Sequence, residues 1–179
     1  LFGGRMKGER FPEAVDHFLL KRKEPFMHKF RRMLVDREHD IADIVDTHRL
    51  PHFPRESDFR YDLVDELNAY QLFTTCESLF HFPAAKTFEG PAAGSIMVCS
   101  DHPVFNDFGF IHGVNCIKHR QFDVDDFKRV VQEALRSPQH LERIASAGEQ
   151  FVRENYSHAA VAQKIMEQIQ ILFRPSSTL

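Results

Sequence analysis

Two short stretches combine residues suited to holding an anion. Gly3-Gly4-Arg5-Met6-Lys7-Gly8 sets two cations among glycines. Glycine lets backbone N–H groups approach a phosphate closely, and Arg5 and Lys7 add positive charge beside it. The run has neither the G-x-G-x-x-G spacing of a dinucleotide fingerprint nor the G-K-[ST] ending of a Walker loop. Alone, it reads as a tight turn with solvated charges. The second stretch runs from Lys86 to Ser95, Lys-Thr-Phe-Glu-Gly-Pro-Ala-Ala-Gly-Ser. It reads as a helix that begins just after a strand and a turn. The free N–H groups and positive dipole end of such a helix suit a diphosphate. Glu89 falls one turn in, where a carboxylate reaches ribose hydroxyls while phosphates rest nearer the helix start. Ala92, Ala93 and Gly94 permit close packing or the close approach of a ligand. The plainer alternative is a small-residue helix under a sheet, with Glu89 a first-turn acid favoured by the dipole.

Other chemistry-bearing residues carry less. His48 and His52 have metal-like spacing, but Pro51 between them spoils a helix there, so no metal site is expected. Cys99-Ser-Asp-His102 ends an apolar run, and Cys99 reads as core. The eighteen phenylalanines, with no Trp, suggest a Phe-rich core. The densest basic run, Lys21 to Arg37, is either a solvated helix face or a contact with an anionic membrane or lipid phosphate.

The elements that must position these residues follow from periodicity. Leu1–Gly3 reads as the end of a buried strand. Pro12 suits a first helical turn, with Ala14, Val15, Phe18 and Leu19 in phase. Pro25 ends that helix or restarts another, lined by Phe26, Phe30, Met33 and Leu34. Ile41–Val45 reads weakly as a strand, and 48–60 as a loop. A short helix is expected over Tyr61–Tyr70 and a strand over Leu72–Thr75. Phe82–Ala85 makes a turn, and Gly94 stops the helix over Lys86–Ala93. Ile96–Cys99 is a continuous apolar run, the mark of a parallel strand buried on both faces. Asn115–Lys118 is the next strand. The tail is helical throughout. Asp123 caps a helix carrying Val124, Phe127, Val130 and Val131, and Ser137-Pro138 opens the next, striped by Leu141, Ile144, Gly148 and Val152. Ser157 opens the last, with Val161, Ile165, Ile169 and Leu172 in phase. Strands alternating with helices predict an α/β fold with a Rossmann-like parallel sheet flanked by helices and a helical C-terminal tail.

Size and composition bound the class. The chain has 179 residues and a mass of 20.9 kDa, the size of one domain or of half a larger enzyme. With 42% hydrophobic residues, wholesale disorder is excluded. A net charge of −3 argues against nucleic acid as a partner. Three cysteines are too few for a disulfide framework, and no apolar run is long enough to span a bilayer, so a cytoplasmic setting is expected. The chain opens as if cut at the start of a strand, which reads as a fragment of a longer enzyme. We expect a single domain, with sheet and helices over about 1–122, C-terminal helices over 123–173 and a tail at 174–179.

Lys86–Ser95, the strand after it, and Gly109-Phe-Ile-His-Gly113-Val-Asn115-Cys116-Ile117 together resemble the C-terminal domain of group 1 glycosyltransferases of the GT-B fold. The family pattern is K-x-F-E-x-x-A-A-G, an apolar strand, a loop, then D-G-x-N before another strand. The tail helices and Asn155-Tyr156-Ser157-His158 fit as well. The resemblance covers about 61–170 and is fainter over 1–60. It implies one half of a GT-B architecture that binds a nucleoside-diphosphate sugar such as a UDP- or GDP-sugar, without a separate cofactor, for transfer to an acceptor held by a missing N-terminal domain. It implies that Glu89 binds the ribose and that Gly4, Arg5 and Lys7 serve the diphosphate. Lys86 would help to neutralise it, and Thr87 would give a hydroxyl to a phosphate. Such cations stabilise the charge that builds on the leaving nucleotide. Many members carry two glutamates separated by seven residues, and here the earlier position is His81. His81 either faces the donor sugar or its phosphates or is an ordinary loop histidine, and the stereochemical outcome stays open. The catalytic base is not assigned. The alternatives are a non-catalytic nucleotide-sugar-binding or regulatory module on the same half-fold and, less well matched for want of the glycine fingerprint, a Rossmann oxidoreductase.

Overall fold

The computed structural model describes residues 26–46 and 62–173. Gly4, Arg5 and Lys7, the opening strand and helix, Lys21–Lys23, and the His48 and His52 pair lie outside the described residues.

Helix α1, Lys29–Asp36, buries Phe30 and Leu34 on one face, one turn apart, together with Arg31. A short α2, Glu38–Ile41, follows. The strand expected over Ile41–Val45 is not there. Ile41 ends α2, and its carbonyl accepts turn bonds from the N–H groups of Ile44 (3.0 Å) and Val45 (2.9 Å). Apolar β-branched composition alone misled, because Ile41 is buried as a helix end rather than as a strand residue. Helix α3, Leu63–Asn68, is opened by Asp62, whose carboxylate accepts from the N–H groups of Val64 and Asp65. Leu67 is its buried contact, while Val64 faces solvent.

Three strands form one parallel sheet in the order β1 (Leu72–Thr74), β2 (Ile96–Ser100), β3 (Ile117–His119). Phe73 pairs with Met97 and Cys99 with Lys118 in register. Parallel neighbours require crossovers. Helix α4, Lys86–Ala92, lies in the first and α5, Pro103–Asp107, in the second. The sequence reading gave no sign of α5. Every residue of β2 is buried, and its side chains alternate between two layers. Ile96 and Val98 meet Phe30, Leu34, Phe127 and Val131. Met97 and Cys99 meet Phe105, Phe110 and Val152. A period of two with both faces apolar is what a sheet between helical layers demands.

The tail follows the sequence pattern. Asp123 accepts the Asp126 N–H at 2.8 Å and opens α6, Val124–Leu135. Helix α7, Pro138–Tyr156, supplies Leu141 and Ile144 to one layer and Val152 to the other. Ser137 precedes it without a side-chain cap bond. Gly148 lets α7 approach β3: a Cβ there would stand 2.9 Å from the Asn115 carbonyl oxygen. Ser157 caps α8, His158–Leu172, through the Ala160 N–H. The expected stripe of Val161, Ile165, Ile169 and Leu172 is in place, yet all four are exposed. No described residue covers it.

Gly90 is where α4 meets the sheet. A Cβ there would lie 2.2 Å from the Phe73 ring, which is itself buried. Alanine would gain about 1 kcal/mol of helix propensity, but overpacking a filled core costs about 1–3 kcal/mol. A 2.2 Å overlap with a held ring puts the cost at the upper end. Gly90→Ala is therefore expected to lower the melting temperature by several degrees. An unchanged or higher value would show that the Phe73 ring yields.

Candidate functional site

Open parallel sheets bind ligands beyond the carboxyl ends of their strands. The segments leaving the three strands here meet around a cavity of about 370 Å³, lined by Glu77 and His81 after β1, His102 after β2, and Gln121 and Phe122 after β3, with Lys29 of α1 beside them. Glu77 is 5% exposed, and its two carboxylate oxygens are both engaged. The Ser100 hydroxyl donates to one at 2.5 Å, and the Gln121 amide donates to the other at 2.5 Å. Glu77 thus ties together the exits of all three strands. Each donor saturates an oxygen that would be costly to bury alone.

His81 and His102 form a pair on the cavity wall. His81 Nδ1 and His102 Nε2 are 2.9 Å apart. The Val104 N–H donates to His102 Nδ1 at 3.1 Å, so His102 both caps α5 and orients its neighbour. His81 has φ of 55°, in the left-handed region that few side chains adopt. The turn is held by the His81 N–H on the Ser78 carbonyl (2.9 Å) and by the Ser78 N–H on the Phe82 carbonyl (3.0 Å).

A cluster of basic side chains, Arg31 buried and His28 and Lys86 half-buried, adjoins the same Cys76–Glu77 segment. Arg31 is only 9% exposed and makes no ion pair with a carboxylate among the described residues. Burial lowers its pKa. Burial, then the neighbouring Arg31 charge, pushes His28 down to about 4 and Lys86 down to about 8. His28 also lies 3.8 Å from the Cys76 sulfur. Burial raises the Cys76 thiol, so it stays protonated and supplies no counter-charge. Three basic groups with depressed pKa values in one place mark a site that a bound anion would stabilise.

The sequence-predicted residues fall as follows. Lys86 is the first residue of α4 and belongs to the cation cluster. Glu89 is exposed on the same helix, close enough to Lys86 for its charge to favour the ammonium. It does not line the 370 Å³ cavity, where His81 stands. Thr87 is fully enclosed, and its hydroxyl has no hydrogen-bond partner. That hydroxyl faces the interior in this structure, not an open helix end. Replacing it by an isosteric methyl removes an unsatisfied buried group, whose cost is about 1–3 kcal/mol. Thr87→Val is thus expected to raise the melting temperature by a few degrees. A loss of stability would reveal a partner that the hydroxyl needs.

The basic run from Lys21 to Arg37 does not present a uniform cationic face over its described half. Arg31 points into the protein, Arg32 pairs with Asp36, and Arg37 bridges Asp40 and Asp125. No helix among the described residues is long and apolar enough to cross a membrane.

Sequence reasoning missed Arg31 and His28 as site residues, having read the run as a surface. It also missed Glu77, Ser100 and Gln121. The usable signal was position: polar residues within a few places of the carboxyl end of an apolar strand.

The glycosyl transferase-like family model matches residues 28–167, which is most of the chain. The chain belongs to this family. Among solved structures, the domain resembles HepE of Anabaena, in complex with UDP and glucose, at 18% identity and a TM-score of 0.57, covering 78% of this chain and 37% of HepE. Sucrose-phosphate synthase of Thermosynechococcus elongatus resembles it at 16% identity and a TM-score of 0.57, covering 80% of this chain and 34% of the synthase. The fold is that of a GT-B half-domain, and the chain spans little more than a third of these proteins. A comparison with curated proteins finds no match.

Proposed function

We propose that this domain is the donor-binding half of a glycosyltransferase and holds a nucleoside-diphosphate sugar at the carboxyl ends of its strands. The observation that carries the reading is the buried Arg31 guanidinium, which has no carboxylate partner among the described residues and has half-buried Lys86 and His28 beside it. A diphosphate supplies the missing negative charge with geometry that a guanidinium matches. In this reading Arg31 and Lys86 hold the diphosphate, and Glu89 accepts hydrogen bonds from the ribose. His81 meets the transferred sugar. Arg5 and Lys7 remain proposed as further cations of the leaving group. As the glycosidic bond breaks, charge develops on the departing nucleoside diphosphate, and preplaced cations stabilise it without reorganising. Thr87 is given a packing role.

Two further observations support the proposal. HepE, which shares the fold, has been seen in complex with UDP-glucose. The exposed apolar stripe of α8 offers a surface on which an acceptor-binding domain would dock.

The test is a thermal-shift panel of the intact protein with UDP, GDP, ADP and their sugars. Linkage predicts a rise of several degrees at saturating ligand for at least one of them. No rise with any member would overturn the donor reading. A rise without release or transfer of sugar from any donor would instead favour a binding module that keeps the fold without catalysis.

A further inference from the structure

We propose that Gln121 is a specificity-determining residue whose side-chain carbonyl accepts a hydrogen bond from a hydroxyl of the transferred sugar, and that Glu77 is the positioning residue that aims it. The orientation of the Gln121 amide follows from its partner. Gln121 Nε2 and Glu77 Oε1 are 2.5 Å apart. A carboxylate oxygen only accepts, so the amide turns its NH2 toward Glu77, and the flipped amide would set two acceptors against each other. The other Glu77 oxygen accepts from the Ser100 hydroxyl, whose own oxygen is met by the His102 N–H at 3.4 Å. Ser100 thus has its proton free for Glu77. Gln121 Oε1 is left without a hydrogen-bond partner among the described residues, and it is not enclosed. Gln121 is half-buried and lines the cavity of about 370 Å³.

The backbone beneath this amide is fixed as well. The Gln121 N–H donates to Asp101 Oδ1 at 2.9 Å, and the Asp101 N–H donates to the His119 carbonyl at 2.8 Å, which ties the loop after β2 to the end of β3. The Asp123 N–H closes the next turn on the Arg120 carbonyl at 3.2 Å, with Phe122 in the left-handed region at φ 58°. Phe122 and His81 are the two non-glycine residues of positive φ among the described residues, and both line this cavity. Backbone held in that way persists only where its surroundings over-determine it, and it collects at ligand sites. Phe26, Leu79 and Phe122 stand on the same wall and suit the C–H face of a sugar ring, so that a hydroxyl at the ring's edge meets the carbonyl. A hydroxyl also has a lone pair for the amide's second N–H. A ligand that covers the carbonyl and offers no hydrogen leaves it unpaired, which is how such sites reject an analogue lacking the hydroxyl. The choice of a sugar as bearer of the hydroxyl rests on the donor reading; the orientation of the amide does not.

Proton–nitrogen NMR of the intact protein reads the orientation first. The Gln121 side-chain NH2, assigned by its loss in Gln121→Met, should show one proton shifted downfield and slow to exchange. Two fast-exchanging protons would overturn the proposal. UDP-glucose, GDP-mannose and ADP-glucose are then titrated, each beside its free nucleoside diphosphate. At least one sugar nucleotide should shift the Gln121 signals saturably, and its nucleoside diphosphate alone should not. Gln121→Met keeps the length of the side chain and loses the carbonyl. It should bind that sugar nucleotide about fivefold or more weakly, and the nucleoside diphosphate within about twofold of wild type. In Glu77→Gln the new amide can donate to Gln121 Oε1 and take up the carbonyl. The same selective loss should follow, with faster exchange of the Gln121 protons. Unchanged affinity and exchange in that variant would remove the positioning role. If it does not fold, the wild-type spectrum and Gln121→Met still decide. A sugar nucleotide that binds with Gln121 silent, a Gln121 shift with the nucleoside diphosphate alone, or equal affinities in Gln121→Met would overturn this proposal and leave the donor reading standing. A protein that binds no nucleotide but shifts Gln121 with free glucose would lose the donor reading and keep this one. No response to any probe would overturn both.

Discussion

Glu89→Ala is expected to weaken nucleoside-diphosphate binding by about tenfold or more while leaving the melting temperature nearly unchanged. The two halves of that statement have separate physical causes. Glu89 is exposed and caps no helix in this structure. Its contribution to folding is that of a first-turn acid, about 0.3–1 kcal/mol. Its contribution to binding is larger, because a carboxylate accepting from a ribose diol makes charge-assisted bonds of about 1.5–3 kcal/mol. At 1.4 kcal/mol per decade, that is about one to two powers of ten in Kd. Removing Glu89 also withdraws the negative charge that supports the Lys86 ammonium, so the lysine pKa falls further. Isothermal titration of the wild type and the variant measures the effect. Affinities within twofold of each other would take the ribose away from this helix.

Alkaline pH is expected to weaken the same complex, and Lys86 is the reason. Burial and the neighbouring Arg31 hold its pKa at about 8 in the free protein. A bound diphosphate favours the ammonium and raises that pKa. Affinity is thus full below pH 8. It falls as pH rises through 8, by up to about tenfold per unit, until the pKa of the complex is reached. Binding near pH 8.5 must take up a fraction of a proton, which appears as a dependence of the titration heat on the buffer's ionisation enthalpy. Lys86→Arg keeps the charge at all accessible pH values, so it should bind with little pH dependence and no proton uptake from this residue. A flat wild-type Kd between pH 7 and 9.5 would mean that Lys86 does not touch the anion.

Much of this was legible in the sequence because the signals were local. Asp123 and Ser157 were each followed by a helix, although Ser137 opened one without a side-chain cap bond. The run Ile96–Cys99 announced a strand buried on both faces. Gly94, at φ 87°, stopped α4 where a left-handed residue was needed. What was not legible depends on distance. Arg31 sits in a basic run that looks solvated, and only packing against the Cys76 segment turns it inward. Glu77 becomes a hub through partners 23 and 44 residues away. The α8 stripe was read correctly as a pattern, but periodicity does not say what covers a face. The family pattern likewise pointed to the helix over Lys86–Ala92, whereas the larger polar cavity lies at the loop ends around His81 and His102.

The most direct test of the donor site is a crystal structure of the intact protein with the tightest-binding nucleoside diphosphate from the thermal-shift panel. The account predicts phosphate oxygens within hydrogen-bond distance of Arg31 and Lys86 and the ribose on Glu89. A diphosphate bound away from both cations, with the cluster unchanged, would contradict it.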